Sequence, residues 1–414
     1  MKKKIFVKGP VLSQSGYGEQ SRFALRALRS REDLFEVYVQ PIPWGQTGWI
    51  WEESEFRTWM DSRIAETQVL MNQKALNPDI SLQVTIPNEF QRMCPVNIGY
   101  TAGMETDRVA GEWLQKGNEQ VDKILVVSNH SKNTYARTSV QAQNSETQEV
   151  VDYKLETPIE VVHEHVLRLD PEPIENFDLP YDFNFLVVSQ AGPRKNLSKT
   201  IEWFVEEFYD QEVGLILKTN VRSNSYLDFV NVQKQLSAVL AGYPERKCKI
   251  HLLHGDLSRS QLIWLYNNEK VKCMINLSHG EGFGLPLFEA AREGTPIITV
   301  PWSGQMDFLN FKGKDYFKAV KFELKPVDQT AVWKGVIRAD AEWAYADAGS
   351  YKMSLRDVYK NYPKFKKQAN ELVEILNVEF SREVIEKKFV DGVLGFDSSI
   401  IEPTTQEETV LEFD

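Results

Sequence analysis

Strand-like and helix-like hydrophobic patterns alternate along this chain. Short apolar runs bounded by turn residues predict strands, and apolar residues three or four apart between those runs predict helices. Such alternation is typical of a parallel α/β architecture. The predicted strands are residues 4–8, 36–40, 83–86, 96–100, 123–128, 183–189, 213–219, 249–254, 272–277 and 295–300. The predicted helices are residues 21–31, a helix that starts near 129, and residues 198–210, 226–241, 258–268, 286–293, 363–376 and 381–391.

The alternation is interrupted between residues 166 and 182, where three prolines and several acids replace periodic apolar residues. This interruption predicts a boundary between two Rossmann-like, doubly wound domains, residues 1–170 and 171–376. We expect residues 377–396 to pack back on the first domain and the acidic residues 397–414 to be disordered. Ligands in open α/β sheets bind beyond the carboxyl ends of strands, so functional residues are expected in the loops that follow strands.

Composition narrows the class of protein. The chain has 414 residues, of which 42% are apolar, and this length suits two domains. Its formal net charge of −11 argues against a wholly basic nucleic-acid or membrane binder, although residues 1–31 hold eight Lys or Arg and one acid. Three scattered cysteines indicate a reducing compartment. No apolar run approaches the ~20 residues that span a bilayer. We therefore expect no integral membrane association and a cytoplasmic location.

The most informative loop follows predicted strand 272–277 and runs from Ser278 to Ala290. Its three glycines allow the backbone to come close to a ligand. A helix beginning near Pro286 would offer free N–H groups and a positive dipole end to a diphosphate. Glu281 and Glu289 can accept hydrogen bonds from sugar and ribose hydroxyls. On spacing alone, a glycine turn followed by an amphipathic helix is an equally good interpretation.

These two glutamates, within E-G-F-G-L-P-L-F-E-A, resemble the E-x7-E signature of family-4 retaining glycosyltransferases. The resemblance implies the GT-B fold, in which two Rossmann-like domains face a central cleft. It also implies a metal-independent enzyme that retains anomeric configuration. A nucleotide-diphosphate sugar would be its co-substrate, and no cofactor would be needed. Some enzymes similar to this family are encoded by bacteriophages, and the cytoplasm would then be that of the host.

The resemblance assigns roles within this loop. In the family the first glutamate approaches the donor sugar and the second holds the ribose, so Glu281 would be catalytic and Glu289 would bind the donor. The donor phosphates would face the backbone of Gly282, Phe283, Gly284 and Leu285.

A second loop, from Ser189 to Asn196, resembles the family's phosphate-binding loop, in which an arginine and a lysine hold the diphosphate. Lys195 matches the lysine and would be catalytic, because the leaving diphosphate needs a cation. Gln190 stands where the family usually has arginine, so Arg194 or Lys218 would supply the missing charge. Without the glutamate pair, Arg194 and Lys195 would be interpreted as part of a solvated turn.

The first domain contributes a glycine motif after its first strand. Gly16, Tyr17 and Gly18 resemble the family's glycine loop, which approaches the donor diphosphate from the other side of the cleft. A generic turn is the alternative interpretation.

A second first-domain motif, Gly103 to Arg108, resembles an E-T-D segment found in a subset of the family. Glu105 would be a catalytic residue near the transferred sugar, and Asp107 would lie on the acceptor side. The alternative is that these acids stabilise a helix N-terminus.

Histidines mark two further places. His254 and Gly255 close a strand of the second domain, where contacts to the nucleotide base are expected. His163 and His165 form a His-x-His pair, which can bind metal, but no third ligand has recognisable spacing. We therefore expect no metal site.

The acceptor is weakly encoded, and a glycan is the default. Tryptophans cluster in residues 41–60, a segment predicted to be irregular. Trp44 and Trp49 are candidates for a stacking platform on the acceptor side. A hydrophobic plug in the first domain explains the same cluster equally well.

Two alternatives to a glycan-modifying enzyme remain. A basic helix would suit an enzyme that glycosylates hydroxylated or hydroxymethylated bases of phage DNA. The arginines of that helix are Arg22, Arg26, Arg29 and Arg31. Alternatively, Gln190 in place of arginine would indicate a catalytically degenerate protein that only binds nucleotide sugars. The oligomeric state is not encoded.

Overall fold

Apolar strands form two parallel six-stranded sheets in the computed structural model of this chain, which describes residues 2–45, 47–143 and 150–395. The first part of the chain contains β1 (Lys3–Gly9), α1 (Gly16–Arg29), β2 (Phe35–Pro41), α2 (Glu55–Asn72), β3 (Ile80–Val84), β4 (Val96–Thr101), α3 (Gly111–Gln120), β5 (Lys123–Val126), α4 (Asn129–Arg137), β6 (Val140–Gln143), β7 (Val150–Tyr153) and β8 (Ile159–Val161).

The second part contains β9 (Asn184–Val188), α5 (Leu197–Phe208), β10 (Gly214–Lys218), α6 (Tyr226–Leu240), β11 (Lys249–Leu253), α7 (Arg259–Asn267), β12 (Val271–Asn276), α8 (Leu285–Arg292), β13 (Ile297–Thr299), α9 (Met306–Leu309), β14 (Asn310–Phe311), β15 (Lys314–Asp315), β16 (Lys318–Ala319), β17 (Phe322–Pro326), β18 (Glu342–Ala346), α10 (Ala348–Lys360), α11 (Tyr362–Glu379) and α12 (Arg382–Leu394). Residues 162–183, between the two sheets, form neither helix nor strand.

Each sheet has a point where the strand order reverses direction. The first sheet has the order β2-β1-β3-β4-β5-β8, and the second has β11-β10-β9-β12-β13-β16, which is the Rossmann order. Strands β10 and β12 pair in parallel with the two edges of β9. The loops that follow β9 and β12 therefore separate above the sheet and leave a crevice, where α/β proteins bind ligands.

The C-terminal helix α12 packs against the first sheet, although it follows the second sheet in sequence. The buried Phe389 ring lies 5.5 Å from the ring of Phe23 in α1 and 5.5 Å from that of Tyr100 in β4. Lys123 Nζ donates to the Gly392 carbonyl at 2.9 Å. Helix α12 therefore ties the end of the described chain to the first domain. The predicted domain limits remain predictions, and the tail 397–414 lies outside the described residues.

Two helices near the start of the chain differ from the prediction: α1 begins earlier than predicted, and α2 was not predicted. Helix α1 begins at Gly16 rather than near residue 21, because the Ser15 side chain accepts a hydrogen bond from Gly18 N–H and caps the helix. Gly16 and Gly18 therefore lie in the first helical turn, not in an open loop. Helix α2 begins at Glu55, capped by Ser54, inside the segment predicted to be irregular up to residue 60.

The hairpin of β17 and β18 was not predicted. The strands are short, and four of the five β17 residues are exposed, so no period-two apolar pattern marks them. The intervening segment 327–341 has a small core of its own, in which Trp343 is buried beside Val327 and Ala341.

Among the described helices, none has the length and apolar character needed to cross a bilayer.

We expect Phe389→Ala to destabilise the protein by about 3–5 kcal/mol, because it removes a buried ring and leaves a cavity between α12 and the first sheet. Urea unfolding followed by circular dichroism measures the change. Val378→Ala, at an exposed position of α11, is the matched control and should change stability by less than about 0.5 kcal/mol. Unchanged stability of Phe389→Ala would contradict this packing.

Candidate functional site

The crevice beside β9 brings together four charged residues from three loops. Arg194 and Lys195 follow β9 in a 3-10 turn, Glu281 follows β12, and Glu105 follows β4 of the first sheet. Asn196, with φ of 51°, ends the turn in the left-handed region and starts α5. The turn therefore directs both basic side chains toward the glycine loop.

The four side chains form a continuous cluster of ion pairs, named here the charge quartet. Lys195 Nζ lies 2.6 Å from Glu281 Oε1, and Arg194 Nη1 lies 3.1 Å from Glu281 Oε2. Arg194 Nη2 lies 2.9 Å from Glu105 Oε1. Arg194 also donates to the Gly280 carbonyl at 2.6 Å. Of the two predicted sources for the missing cation, Arg194 is the one that reaches the quartet.

Neighbouring polar groups hold Glu281 in place. Asn276 Nδ2 donates to Glu281 Oε1 at 3.1 Å, and the backbone N–H of Glu281 donates to Ser303 Oγ at 2.9 Å. Burial would raise the pKa of Glu281, but Lys195 and Arg194 outweigh it and hold the pKa below its ordinary value. Glu281 is therefore ionised across the neutral pH range.

The other members of the quartet are shifted by the same forces. Burial raises the pKa of Glu105, Arg194 opposes the rise, and the charge of Glu281 adds to it. Burial and the neighbouring Arg194 lower the pKa of Lys195. Of the two carboxyls in this site, Glu105 therefore gains a proton more readily than Glu281.

Two glycines allow the two domains to approach each other at the quartet. A Cβ atom at Gly280 would meet the Glu105 carbonyl oxygen at 2.1 Å, and one at Gly282 would meet the Ala102 carbonyl oxygen at 1.8 Å. Ser128 Oγ of the first domain donates to the Gly282 carbonyl at 2.6 Å. The glycine loop is therefore packed on the first-domain loop rather than exposed.

The glycine loop leads into α8, and no side chain in the described part of the chain caps the N-terminus of this helix. Gly284 adopts φ of 95°, which favours glycine, and Pro286 occupies the first turn. The predicted donor-phosphate residues Phe283 and Leu285 flank this point, and Phe283 itself is buried among aromatic rings. The free N–H groups there suit an anion.

The second predicted glutamate belongs to a separate ion-pair cluster that also joins the domains. Arg259 Nη1 lies 3.4 Å from Glu289 Oε1, and Arg259 Nη2 lies 2.7 Å from Glu19 Oε2 in α1. Tyr266 donates to Glu289 at 3.2 Å. Burial raises the pKa of Glu289, whereas Arg22 and Arg259 outweigh burial and lower that of Glu19 to about 2.

Arg259 and Glu19 were not predicted from the sequence as site residues. The first residue of α7 and an acid of α1 lie 240 positions apart, and only the closed arrangement of the two sheets pairs them. Asn276 and Ser303 were missed as well, although Asn276 is a polar residue that ends an apolar strand.

Tyr17 links the first-domain motifs. Its hydroxyl lies 2.8 Å from Thr101 Oγ1 and accepts from the Ala102 N–H at 3.2 Å, at the start of the loop that carries Glu105. Trp44 lies against the Tyr17 ring at 4.4 Å between centroids. The side chain thus supports the Glu105 loop, and its predicted contact with a donor stays a prediction.

Three of the predicted donor residues in the second domain contact neighbouring segments instead of the quartet. Gln190 donates to the Val221 carbonyl at 2.8 Å, and Lys218 Nζ donates to the Gly255 carbonyl at 2.7 Å. His254 pairs with Asp228 at 3.0 Å. These contacts organise the loops that follow β10 and β11.

Asp107 and Trp49 also have definite surroundings. Asp107 Oδ1 accepts from the Glu342 N–H at 2.6 Å, so the carboxylate is bound to the second domain. Trp49 pairs with Ser13 through a β-bridge and is 68% exposed. Of these two, only Trp49 presents its side chain to solvent.

The predicted His-x-His pair is divided between two partners. His163 Nε2 lies 2.8 Å from Asp307 Oδ2, which also accepts from the Asn129 N–H at 2.7 Å, and His165 lies 3.2 Å from Arg292. Within the described ranges, no group of three His, Cys, Asp or Glu side chains could hold a metal ion. Metal independence remains a prediction.

Comparison with known proteins identifies the architecture. No family model matches this chain, and no curated protein matches it in sequence. Among solved structures, sucrose-phosphate synthase from Thermosynechococcus elongatus is similar with a TM-score of 0.59 at 11% identity, over 94% of this chain and 98% of that one. HepE of Anabaena, in complex with UDP and glucose, is similar with a TM-score of 0.56 at 11% identity, over 95% and 100%.

A glycosyltransferase from Rickettsia africae is similar with a TM-score of 0.56 at 13% identity, over 95% of this chain and 99% of that one. The fold is GT-B. The likeness covers both sheets, so the expectation of two Rossmann-like domains is confirmed. In GT-B terms, the quartet and the Arg259 cluster lie where the two domains meet.

A buried acid lies close to the Arg259 cluster. Glu164, in the segment between the two sheets, is 3% exposed. Burial, together with the charges of Glu19 and Glu289, raises its pKa to about 8.

We expect Glu164→Gln to change how stability depends on pH. The native carboxyl keeps its proton up to about pH 8, whereas the unfolded chain releases it near 4.5, so wild-type stability falls as the pH rises through this window. The variant should match the wild type near pH 4.5 and melt at a higher temperature at pH 8. The control is Glu160→Gln, which removes a half-exposed carboxylate paired with Lys123 and should not raise the melting temperature at pH 8. Parallel curves for wild type and Glu164→Gln would refute the assignment.

Proposed function

We propose that this protein is a retaining, metal-independent glycosyltransferase that transfers a sugar from a nucleotide-diphosphate sugar to a hydroxyl group of a saccharide. The single observation that carries the proposal is the charge quartet. In this quartet, Arg194 and Lys195 of the loop after β9 and Glu281 of the glycine loop lie against Glu105 of the other domain, at the GT-B cleft.

Donor binding would use the cationic half of the quartet. Lys195 and Arg194 would exchange part of their contact with Glu281 and Glu105 for the diphosphate, and the N-terminus of α8 would bind the same anion. Since the pKa of Glu105 is already raised, we expect Glu105 to take up a proton when Arg194 turns toward phosphate. Protonation of Glu105 would remove one negative charge from the site when the negatively charged diphosphate of the donor binds.

In the transfer step, the bond from the anomeric carbon to the phosphate oxygen breaks and a bond to the acceptor oxygen forms. The acceptor proton passes to the departing phosphate oxygen on the same face of the sugar. Lys195 and Arg194 stabilise the leaving charge, and ionised Glu281 stabilises the positive charge that develops on the ring. Glu289 would hold the ribose, with Arg259 fixing its orientation.

The arginines in and just after α1 favour a saccharide over DNA as acceptor. Each of them is already engaged within the protein, so the helix does not offer an unpaired basic surface to phosphates. Arg22 donates to the carbonyls of Val11 and Ser13, Arg26 lies over the Phe56 ring, Arg29 pairs with Glu55, and Arg31 pairs with Asp33.

Exposed tryptophans beside the glycine motif suit a sugar. Trp51 is 91% exposed, Trp49 is also exposed, and the neighbouring Glu52 and Glu53 are exposed acids. Indole faces stack on the apolar face of a sugar ring, and carboxylates accept hydrogen bonds from its hydroxyls, whereas they repel phosphates.

The proposal is tested by a thermal-shift screen against nucleotide sugars, followed by an assay of nucleotide release with and without acceptor. HepE is in complex with UDP and glucose, so UDP-glucose is the first donor to assay. A ligand present at 100 times its Kd should add about 2.7 kcal/mol of stability. Activity should persist in EDTA, and NMR should find the donor's anomeric configuration in the product. Binding without release or transfer would indicate the degenerate nucleotide-sugar binder.

Lys195→Ala should lower turnover about 100- to 1,000-fold, because it removes a preorganised donor to the leaving group. The readout is nucleotide release at saturating donor. Lys199→Ala, an exposed lysine on α5 that pairs with Glu202, is the control and should retain full activity. A folded Lys195→Ala enzyme with wild-type turnover would rule out the proposed catalytic role.

Trp51→Ala combined with Trp49→Ala should raise the KM for a saccharide acceptor at least about tenfold, since each stacking contact contributes roughly 1 kcal/mol. Release of nucleotide from the donor in the absence of acceptor should not change. Transfer from labelled donor to a panel of soluble oligosaccharides measures the acceptor KM, and a nucleotide-release assay without acceptor measures the second quantity. Replacing Trp59, which donates to Glu32 and stacks on Phe56, tests the hydrophobic-plug interpretation instead. An unaltered acceptor KM in the Trp49 and Trp51 variant would argue against the platform.

A further inference from the structure

Strand β18 pairs with β17 along one edge, with Ala344 opposite Leu324 and Glu342 opposite Pro326. The edge that faces away from β17, called here the free edge, binds the loops that carry Glu105 and Glu281. In an antiparallel pair, alternate residues direct both backbone groups away from the partner. Glu342 and Ala344 are two such residues, and an edge of this kind needs other partners.

The first-domain loop supplies one set of partners through Asp107. Asp107 Oδ1 accepts from the Glu342 N–H at 2.6 Å, and the Asp107 N–H donates to the Glu342 carbonyl at 3.3 Å. Asp107 lies two residues after Glu105. The loop that carries the first-domain carboxyl of the quartet is therefore attached to β18.

The second-domain loop supplies the other set through His279. The Ala344 N–H donates to the His279 carbonyl at 2.9 Å, and His279 Nδ1 lies 2.8 Å from the Ala344 carbonyl oxygen. The imidazole lies between Trp343, 5.3 Å away and stacked, and Tyr345, 4.3 Å away. His279 lies two residues before Glu281, and its N–H donates to the Arg194 carbonyl at 2.8 Å.

The segment before β18 is itself fixed to the first domain. Gly335 adopts φ of 77°, and a Cβ atom there would meet Glu112 Oε2 of α3 at 2.2 Å. Val336 packs against the first-domain core that contains Trp113. The hairpin therefore crosses the domain junction instead of extending into solvent.

We propose that β18 is a splint that sets the distance between Glu105 and Glu281 across the cleft, with Asp107 and His279 as positioning residues. Gly280 and Gly282 allow the two loops to come close because neither residue has a side chain. Close approach alone, however, does not hold the loops in a defined relative position. The four hydrogen bonds to the free edge of β18 supply directional attachment on both sides. The catalytic consequence rests on the proposed function, whereas the mechanical coupling does not.

The experiment combines hydrogen exchange with kinetics on the full chain. Asp107→Ala should speed amide exchange at least tenfold in residues 340–347 and also in 278–284, because freeing one end of the splint loosens the loop on the other. Turnover of UDP-glucose, or of the donor that the screen identifies, should fall about 10- to 100-fold with the donor KM within twofold, as expected for a displacement of about 1 Å. Asp107→Asn keeps an oxygen that accepts from Glu342 N–H and should recover most of both.

Asp340→Ala is the matched control in the same interface. Asp340 lies at the surface, 2.7 Å from Arg338 and 3.6 Å from Arg108, and makes no bond to the β18 edge, so exchange and turnover should stay within twofold. His279→Ala repeats the test from the other side, with faster exchange expected in residues 102–108, and it replaces Asp107→Ala if that variant does not fold.

Two outcomes would overturn the splint. One is wild-type exchange in residues 278–284 of folded Asp107→Ala. The other is faster exchange there with unchanged turnover. Exchange needs no substrate, so a wild-type protein without any transfer activity would count against the proposed function alone, and the coupling would still be decided.

Discussion

The ion pairs of the charge quartet, which surround the buried carboxylate of Glu281, constrain the rest of this molecule. A carboxylate or ammonium group taken out of water costs several kcal/mol unless an opposite charge and hydrogen bonds compensate it. Glu281 is compensated by Lys195, Arg194 and Asn276, and Glu105 by Arg194. The loops after β4, β9 and β12 must therefore end at one point, which requires the two sheets to stand with their carboxyl edges together.

Such a cluster is weak evidence for stability, because apolar residues of the same volume often stabilise a protein as well or better. Its arrangement is better explained by chemistry. Two cations and two carboxylates lie side by side at the cleft, so charged groups are already in place where charge would develop in a transfer reaction. The second cluster, from Glu19 through Arg259 to Glu289, extends the same principle along the junction of the GT-B domains.

The glycine-loop part of the site could be predicted from the sequence because its residues are contiguous. A strand, a glycine loop and a helix start within twenty residues determine where Glu281 and Glu289 lie relative to each other. The choice between Arg194 and Lys218 could not be made in this way. It depends on the 3-10 turn at Pro193 and on the carbonyl of Gly255, which attracts the lysine instead. The attachment of Asp107 to β18 was equally beyond the sequence, because its partner is a backbone group 235 residues away.

By itself, the sequence determined the α/β class, the two Rossmann-like units and the loops that carry the candidate chemistry, since hydrophobic period, turn residues and helix starts depend on near neighbours. Tertiary structure alone decided which loops meet. The pairing of Glu105 with Arg194, of Glu19 with Arg259, and of β18 with both site loops follows from how two sheets and an added hairpin pack. Such packing depends on contacts between residues far apart in the chain, and no local pattern encodes them.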